Sequence, residues 1–558
     1  MALFFWVLQV SVVEAQGTAV VATSHPLATQ AGAWALQQGG DAVDAAAAIQ
    51  YALNVVEPQS SGLGGGAFMV IYRAATRQVY ALDAREIAPA VATADQFARL
   101  DYYPASISGL AVGVPGTLAG FEALRQRWGH LSLAQQVSRA LRYARDGIVI
   151  TPYLAHALQS SRAALQPEAR ALTRDSKGGV RQLGQRWRQP DLAHTFELLG
   201  RQGAEVFYRG EIAQAMVATQ QRSQAGAAGR GRMTLDDLAH YQVRWRTPVE
   251  GDYRGYHIVT MPPPSSGGVA LLQVLGELDR FHLGQAPGLL VGEPDQMHLT
   301  LEALRLAMAD RAYWLGDPEA TAVPVKALLA PAYLASQSRR LNRKLRQPTV
   351  VKGEMPEGNN TTQFTVVDSE GNVVSCTSTV EAPWGSGLVV PGYGFFLNSE
   401  LTDFNLQPQQ QGKNPGANDV RPGRRPRSSM TPTLIFRGGR WLSAYGSPGG
   451  VSIISTVVEM TQDQLDEGLG AAAAIALPRF AVLDAAGHTL VESGLSSSIR
   501  AKLLSRGHLL EESPDPLGSV QWVGIDQDNG SLQGAADPRR DGSVVRIPPK
   551  GSEKLLSP

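Results

Sequence analysis

A threonine that follows an irregular, glycine-containing stretch is the first candidate for chemistry in this chain. After residues 356–360, Thr361 begins a run of alternating β-branched and aromatic residues, which predicts a strand ending near Asp368. A threonine hydroxyl is a poor nucleophile unless a base lies beside it, and an N-terminal threonine supplies that base through its own α-amine. One hypothesis is therefore that the protein cuts its own Asn360–Thr361 bond and then uses Thr361 as a nucleophile. The alternative is an ordinary strand that begins with threonine.

A second hydroxyl lies one hairpin away from the first. The turn-forming residues 368–372 are followed by another predicted strand, from Val373 to Val380, which contains Thr379. Pairing of the two strands brings Thr379 towards Thr361, where its hydroxyl can orient the nucleophile. The alternative is a cross-strand threonine pair that only stabilises the sheet.

Each of three further residue patterns could have either a binding or catalytic role or a purely structural role. Arg85 follows a predicted strand and precedes an X-Pro step, which suits an anion-binding arginine or a surface salt bridge. Gly449 and Gly450 can expose two backbone N–H groups to an oxyanion, or can form a simple turn. Glu400 and Asp403 lie three residues apart, which suits a pair of acceptors for a cation or two solvated carboxylates.

The composition excludes several classes of protein. The chain has 558 residues, of which 44% are hydrophobic and 18% charged, as expected of a globular enzyme with a large core. Its formal net charge is zero, so we expect no nucleic-acid partner and no attraction to anionic membranes. The single cysteine, Cys376, excludes an internal disulfide framework and is predicted to be buried. The histidines show no metal-ligand spacing, so neither a metal nor a cofactor is predicted.

The amino-terminal residues 1–16 suggest a degenerate export signal. Residues 2–13 are apolar but too few to span a bilayer, and no lysine or arginine precedes them. Residues 13–15 suit a cleavage site before Gln16. We therefore predict a periplasmic or secreted protein, with a cytoplasmic protein as the alternative. No other stretch is long and apolar enough to cross a membrane.

Several elements can be predicted from local patterns. Residues 31–55 form an alanine-rich helical stretch that Gly39-Gly40 interrupts, with Asp41 as the N-cap of its second half. Residues 62–66 are a glycine run that indicates either close backbone packing or a flexible loop. Residues 297–314 have apolar side chains at helical spacing and predict a core helix, and residues 336–346 predict a basic, exposed helix.

Taken together, the motifs resemble the γ-glutamyltransferase family in order and spacing. The resemblance extends from about Gly17 to Gly542. The motifs that carry it are the strand from Thr361 to Val367, Ser378-Thr379, residues 397–404 (LNSELTDF), residues 426–432 (PRSSMTP) and residues 446–450 (GSPGG).

The resemblance implies a fold and a processing event. The fold is an α+β, four-layer αββα sandwich of the N-terminal nucleophile hydrolase type. Cleavage before Thr361 would give a large fragment, 17–360, and a small fragment, 361–558, which form one domain as a heterodimer. Some family members carry a lid over the site after Phe404, and residues 404–427 are of intermediate length, so the presence of a lid stays open.

The resemblance also implies residue roles. Thr361 is the nucleophile, Thr379 orients it, and the Gly449 and Gly450 amides stabilise the oxyanion. The substrate α-carboxylate and α-ammonium are bound by separate groups of side chains. The side chains that bind the α-carboxylate are Arg85, Ser428 and Ser429. The side chains that bind the α-ammonium are Glu400 and Asp403. Glu381 is a third acceptor for the ammonium, at a position that is asparagine in some relatives.

Three functions are compared. The first is a γ-glutamyltransferase or glutathione hydrolase, which passes a γ-glutamyl group to water, an amino acid or a peptide. The second is an acylase of the same superfamily that acts on glutaryl side chains such as those of cephalosporins. A glutaryl group has no α-amine, so Glu400 and Asp403 would be unused. The third is an uncut, inactive binding or scaffold protein, and the intact Thr361, Thr379, Gly449 and Gly450 argue against it.

Overall fold

Strands from before and after residue 360 pair with each other within the same β-sheets. A computed structural model describes residues 18–160, 164–223, 229–281, 294–347, 360–409, 415–527 and 529–548. Its strands are β1 Ala19–Thr23, β2 Gly66–Arg73, β3 Gln78–Ala84, β4 Ile148–Val149, β5 Arg186–Trp187, β6 Arg244–Arg246, β7 Val249–Tyr253, β8 Tyr256–Thr260, β9 Asn360–Val367, β10 Val373–Glu381, β11 Thr433–Arg437, β12 Arg440–Tyr445, β13 Phe480–Val482, β14 His488–Val491, β15 Leu509–Glu512, β16 Gln521–Ile525, β17 Leu532–Ala536 and β18 Ser543–Ile547.

The helices cover the outer faces of these sheets and fill the connections. They are α1 Pro26–Gln37, α2 Ala42–Val56, α3 Tyr102–Ser106, α4 Thr117–Trp128, α5 Leu133–Asp146, α6 Pro152–Ser160, α7 Pro167–Leu172, α8 Pro190–Gln202, α9 Glu205–Tyr208, α10 Glu211–Gln221, α11 Leu235–Ala239, α12 Gly267–Leu278, α13 Pro294–Trp314, α14 Val325–Leu328, α15 Pro331–Ser338, α16 Ser452–Leu465, α17 Ala471–Ala476 and α18 Ser497–Ser505. Short 3₁₀ turns form at Gly109–Ala111 and Glu400–Asp403.

Two antiparallel sheets form the centre of the molecule. The seven-stranded sheet has the order β18-β1-β9-β10-β2-β3-β6, and the six-stranded sheet has the order β17-β16-β12-β11-β8-β7. In the first sheet, β9 begins at Asn360 and β10 follows it in the chain, whereas their neighbours β1 and β2 come before residue 360. The two halves of the chain therefore share one set of backbone hydrogen bonds.

Alternate side chains of the seven-stranded sheet face two separate cores. Val21, Met69 and Phe364 pack with α1, α2, α5 and α8 in the first core. Val20 and Phe68 point the other way and pack with the six-stranded sheet, behind which lie α12, α13 and α16. This period-2 alternation requires a layer on each face of each sheet. The four-layer αββα sandwich predicted from the family resemblance is thus confirmed.

The helix start predicted at Asp41 is also confirmed. Helix α1 ends at Gln37, and Gly39 takes a φ of 91°, a backbone conformation that glycine adopts readily. Asp41 then caps α2, because its side chain accepts from the Asp44 amide while the Asp44 side chain accepts from the Asp41 amide. The hairpin of β9 and β10 and the burial of Cys376 agree with the sequence as well.

The basic helix predicted over residues 336–346 is wrong. Helix α15 ends at Ser338, and the residues beyond it are irregular. The side chain of Asn342 accepts hydrogen bonds from the backbone amides of Lys344 and Leu345, at 2.8 and 3.2 Å, and so replaces helical bonds. Repulsion between closely spaced arginines works against a helix in the same place.

Some predicted features lie outside the described residues. They include the export signal at residues 1–16, most of the stretch before Thr361 and part of residues 404–427. Among the residues that are described, no helix combines the length and apolar character needed to cross a membrane.

Candidate active site

Thr361 and Thr379 face each other across β9 and β10. They are register partners, and each is 3% exposed. Their Oγ1 atoms are 3.5 Å apart, which is longer than a usual O–H···O hydrogen bond. The Thr379 hydroxyl donates to the backbone carbonyl oxygen of Asn360 at 2.8 Å and accepts from the Glu381 amide at 2.8 Å. The peptide bond before Thr361 is therefore polarised by a fixed donor.

Further polar side chains hold the same peptide bond in place. The side-chain oxygen of Asn360 accepts hydrogen bonds from the Ser60 hydroxyl at 3.2 Å and the Tyr153 hydroxyl at 3.0 Å. On the other side, Arg540 donates to the carbonyl oxygen of Thr361, and its guanidinium lies 4.6 Å from the centre of the Tyr153 ring. Residues on both sides of the bond are thus bound by groups from distant parts of the chain.

The glycine run of residues 62–66 packs tightly against this hairpin. A Cβ atom on Gly65 would lie 2.0 Å from the carbonyl oxygen of Thr379, and one on Gly64 would lie 2.0 Å from that of Phe396. Neither distance is compatible with any side chain. The prediction of close backbone packing is therefore confirmed, and the flexible-loop alternative is wrong.

The loop that contains Gly449 and Gly450 connects β12 to α16 beside β9. A Cβ atom on Gly446 would lie 2.5 Å from the Gln363 side chain, which places the start of the loop two residues from Thr361 along β9. Gly449 and Gly450 have φ values of 134° and 57°. Their amides donate to no other residue in the described part of the chain. Both groups lie at the amino end of α16, where the helix dipole favours negative charge.

Arg85 forms a buried ion pair with the two acids predicted for the other end of the substrate. Its guanidinium donates to the carboxylates of Glu400 and Asp403, and the three side chains are 1%, 0% and 8% exposed. It also donates to the carbonyl oxygens of Pro426 and Arg427, at 3.2 and 2.9 Å. Burial opposes its charge, but the two carboxylates raise the pKa of Arg85 above its usual value.

The region around Arg85 contains more acids than one arginine can balance. Burial raises the pKa of Glu86 to about 7, and burial together with the neighbouring carboxylates raises that of Glu400 well above its usual value. The attraction of Arg85 lowers both pKa values but does not outweigh these effects. Part of this acidic cluster therefore holds protons near neutral pH, and a second cation would find acceptors there.

Glu381 links the acidic cluster to the threonine pair. Its carboxylate accepts hydrogen bonds from the hydroxyls of Tyr102 and Ser399, and its amide bonds to Thr379. Its φ of 77° is costly for a non-glycine residue and usually indicates a functional constraint. Burial, followed by the charge of Glu381, raises the pKa of Tyr102 well above its usual value.

Ser428 and Ser429 directly follow the carbonyl group that Arg85 contacts. The Ser428 hydroxyl accepts from the Met430 amide at 3.1 Å, and the Ser429 hydroxyl accepts from the Arg311 guanidinium at 3.0 Å. Arg311 also donates to Ser266 at 2.8 Å. Burial, followed by repulsion from Arg427, lowers the pKa of Arg311 well below its usual value.

The structure thus brings the predicted residues into two linked groups. Thr361 and Thr379 pair at the start of β9, and the loop that contains Gly449 and Gly450 begins beside Gln363 on the same strand, whereas the remaining predicted residues lie around Arg85. The residues that sequence reasoning missed are Tyr102, Tyr153, Arg311 and Arg540. One of them carried a signal, because Arg311 continues the apolar stripe of α13 at helical spacing. No group of three or more metal-binding side chains occurs among the described residues.

Comparison with known proteins adds independent information. The family model described as Gamma-glutamyltranspeptidase matches residues 28–547. The glutathione hydrolase proenzyme of Bacillus subtilis (strain 168) is 38% identical, with 95% of this chain and 91% of the relative covered. A cephalosporin acylase structure from Bacillus halodurans has a TM-score of 0.82 at 28% identity, covering 97% and 98% of the two chains. The gamma-glutamyltranspeptidase structure from Helicobacter pylori has a TM-score of 0.54 at 34% identity, covering 62% of this chain and 95% of the other.

Proposed function

The chain belongs to the gamma-glutamyltranspeptidase family, and we propose that it is a γ-glutamyltransferase and glutathione hydrolase that activates itself by cutting the Asn360–Thr361 bond. The observation that carries this proposal is the 2.8 Å hydrogen bond from the Thr379 hydroxyl to the Asn360 carbonyl oxygen, beside the Thr361 hydroxyl. An ordinary strand would have no need of that donor at the bond before its first threonine.

Cleavage proceeds through an ester. The Thr361 Oγ1 atom attacks the carbonyl carbon of Asn360, and the Thr379 hydroxyl stabilises the charge that develops on the carbonyl oxygen. The C–N bond then breaks, and the nitrogen takes the proton of the Thr361 hydroxyl. Water hydrolyses the resulting ester, which frees a carboxylate on Asn360 and both the hydroxyl and the α-amine of Thr361.

Turnover repeats this chemistry on a substrate amide. The freed α-amine of Thr361 takes the proton from Oγ1 as that atom attacks the γ-carbonyl carbon of a γ-glutamyl amide. The amides of Gly449 and Gly450 stabilise the oxyanion, and loss of one such donor typically costs about 3 kcal/mol. The proton passes to the leaving amine. Water, an amino acid or a peptide then takes the γ-glutamyl group from the ester.

The ion pair at Arg85 supports recognition of an α-amino acid. A γ-glutamyl group carries one carboxylate and one ammonium, and the site carries the opposite charges in Arg85 and the Glu400/Asp403 pair. On binding, the substrate carboxylate would accept hydrogen bonds from Arg85, Ser428 and Ser429. The substrate ammonium would bind the Glu400 and Asp403 carboxylates that Arg85 releases, with Glu381 as a third acceptor. Arg85 and the two acids would each exchange an internal ion pair for one with the substrate.

A glutaryl acylase is the second candidate, because the cephalosporin acylase structure matches nearly the whole chain. A glutaryl substrate would separate Arg85 from its acids without offering them a cation, which leaves buried charges unpaired. We therefore expect faster release of p-nitroaniline from γ-glutamyl-p-nitroanilide than from glutaryl-p-nitroanilide, measured as kcat/KM at equal enzyme concentration. Preference for the glutaryl compound would establish the acylase instead.

Self-cleavage has its own test. We expect purified wild-type protein to give two bands on a denaturing gel, split after residue 360, and mass spectrometry to find a fragment that begins with Thr361. Thr361→Ala should remain a single, inactive chain, whereas Thr361→Ser keeps a hydroxyl and should still be cut. Cleavage of the alanine variant would refute Thr361 as the nucleophile.

The two fragments, 17–360 and 361–558, should stay together as a heterodimer. Strands of the two fragments are hydrogen-bonded to each other in the same sheet, so separation requires unfolding. Size-exclusion chromatography without denaturant should give one peak containing both. We further propose a periplasmic or secreted location from the apolar run at residues 2–13, with the cytoplasm as the alternative. Assay of γ-glutamyl-p-nitroanilide cleavage in separated cell fractions distinguishes the two.

A further inference from the structure

The Gln363 side chain packs against the start of the loop that contains Gly449 and Gly450. Gln363 follows Thr361 by two residues in β9, so both side chains point to the same face of the strand, towards the six-stranded sheet. A Cβ atom on Gly446 would lie 2.5 Å from the Oε1 atom of Gln363 and 3.0 Å from its Nε2 atom. The amide group of Gln363 therefore lies directly against the loop backbone, where only glycine leaves room for it.

Gln363 uses both ends of its amide group. Its Oε1 atom accepts a hydrogen bond from the Thr377 hydroxyl at 2.6 Å, and its Nε2 atom donates to the Ser375 hydroxyl at 3.1 Å. The Ser375 hydroxyl in turn donates to the carbonyl oxygen of Tyr445 at 3.1 Å. All four residues are fully buried. A chain of hydrogen bonds thus runs from β9 through β10 to the last residue of β12, where the loop begins.

The direction of this chain depends on a side chain that both donates and accepts at position 363. A hydroxyl carries one proton, and the proton of Ser375 goes to the Tyr445 carbonyl oxygen, so Ser375 must accept from its other neighbour. The Thr377 hydroxyl approaches the same side chain as a donor. Glutamine supplies the required donor and acceptor, whereas a carboxylate supplies acceptors only and an alkyl group supplies neither.

The loop is also fixed by backbone and hydroxyl groups near its two ends. The Gln521 amide of β16 donates to the carbonyl oxygen of Gly446 at 3.3 Å. At the start of α16, the Ser452 hydroxyl donates to the carbonyl oxygen of Gly449 at 2.8 Å. The residues between these two bonds are few, so a displacement of Gly446 also moves the amides of Gly449 and Gly450.

We propose that Gln363 is a positioning residue for the oxyanion site. It fixes where the loop leaves β12 and, through the loop, where the Gly449 and Gly450 amides lie relative to Thr361. This inference rests on the proposed function, in which those two amides stabilise the oxyanion formed from the substrate. Self-cleavage uses a different donor, the Thr379 hydroxyl. Loss of the Gln363 amide should therefore slow turnover without slowing self-cleavage.

Gln363→Leu removes both hydrogen bonds and keeps a side chain of similar size. We expect kcat for γ-glutamyl-p-nitroanilide to fall about tenfold or more, because a displaced oxyanion donor stabilises the transition state less. KM should change less than kcat, because the Arg85 region is untouched. The rate of self-cleavage, followed on a denaturing gel, should stay close to that of wild type. Unchanged kcat, or equal slowing of turnover and self-cleavage, would overturn the proposal.

Gln136→Leu is the matched control. Gln136 is also a buried glutamine, and it donates to the Asp44 carboxylate at 2.8 Å. It lies in α5, in the helical layer on the other side of the seven-stranded sheet. We expect its substitution to lower the melting temperature, as Gln363→Leu does, but to leave kcat at the wild-type value. An equal fall in kcat in both variants would show that lost stability is responsible, and would refute a positioning role.

Gln363→Glu adds a pH profile that a simple loss of packing does not produce. A protonated carboxyl group offers one donor and one acceptor, as glutamine does, whereas the ionised form accepts only and draws the Ser375 proton away from Tyr445. Burial raises the pKa of a carboxyl group, so kcat relative to wild type should be nearly normal at pH 6 and should fall as the pH rises to 9. Values as low as those of Gln363→Leu at every pH would contradict the proposed hydrogen-bond directions.

Failure of this inference can be distinguished from failure of the proposed function. If wild-type protein remains a single chain or prefers glutaryl-p-nitroanilide, the proposed function is wrong whatever the Gln363 variants do. If wild-type protein is cut and active and Gln363→Leu has the same kcat, only the positioning role of Gln363 is refuted.

Discussion

The Thr379 hydroxyl donates a 2.8 Å hydrogen bond to the carbonyl oxygen of Asn360. Strand register produces this contact, since Thr379 pairs with Thr361 and a register irregularity follows between Thr379 and Glu381. The Glu381 amide fixes the same hydroxyl from the other side. The donor is therefore in position before any covalent step, which is how preorganised electrostatic stabilisation works.

Removal of that hydroxyl should slow self-cleavage. Thr379→Ala takes away the donor to the Asn360 carbonyl, and loss of one oxyanion donor typically lowers a rate about 100-fold or more. The remaining full-length chain can be followed on a denaturing gel against time after synthesis. Thr379→Ser keeps the hydroxyl and is the control. Cleavage of the alanine variant at the wild-type rate would show that this hydrogen bond is only structural.

A methyl group added to Gly65 should disturb the hydrogen bond between Thr379 and Asn360 by displacing the β10 backbone. Gly65→Ala would place a Cβ atom 2.0 Å from the Thr379 carbonyl oxygen, so the β10 backbone must move. We expect slower cleavage and a lower melting temperature. Gly200→Ala, within helix α8, adds a methyl group at ordinary contact distance, 3.5 Å from Ala134, and should neither slow cleavage nor lower the melting temperature. Equal behaviour of the two variants would contradict the packing argument.

Tyr102 should act as a positioning residue for the substrate ammonium. Tyr102→Phe removes its hydrogen bond to the Glu381 carboxylate, and bonds to charged groups contribute roughly 1.5–3 kcal/mol. We expect KM for γ-glutamyl-p-nitroanilide to rise about tenfold with a smaller change in kcat. The residual rate on glutaryl-p-nitroanilide, which has no ammonium, should change little. Tyr103→Phe, at an exposed neighbouring tyrosine, is the control; equal loss on both substrates would indicate a structural role only.

Asp463 should make stability depend on pH. Its pKa is raised by burial from 3.8 to about 8, so its contribution to folding is fully present below pH 4 and is lost as the pH rises towards 8. Asp463→Asn removes the ionisable group, so the stability of the variant does not fall with pH for this reason. The free energy of unfolding of the variant, relative to wild type, should therefore increase between pH 4 and 8 and level off above. Urea denaturation at pH 5, 7 and 9 measures it, and a constant difference would contradict the assignment.

The sequence by itself determined the local elements and the identity of the chemistry. Alternating side chains and turn residues predict the β9–β10 hairpin, and Asp41 predicts the start of α2. These two features depend on neighbouring residues, through backbone propensity, capping and hydrophobic period. The αββα fold was implied only by the resemblance of the motifs, in their order and spacing, to a known family. Thr361 was identified as a candidate nucleophile from a local pattern too, because an irregular stretch followed by a strand lies in consecutive residues.

Only the tertiary structure decided which distant groups meet. The pairing of Arg85 with Glu400 and Asp403 joins residues more than 300 positions apart, and Tyr102 reaches Glu381 across a similar interval. The helix predicted over residues 336–346 does not continue beyond Ser338, because the Asn342 side chain binds nearby backbone amides and the Arg346 amide donates to the distant Arg506 carbonyl oxygen. Such contacts depend on how the two sheets and their helices pack. The sequence shows which residues can ionise, but the fold decides how deeply each acid is buried and which charges lie beside it, and these two factors shift its pKa.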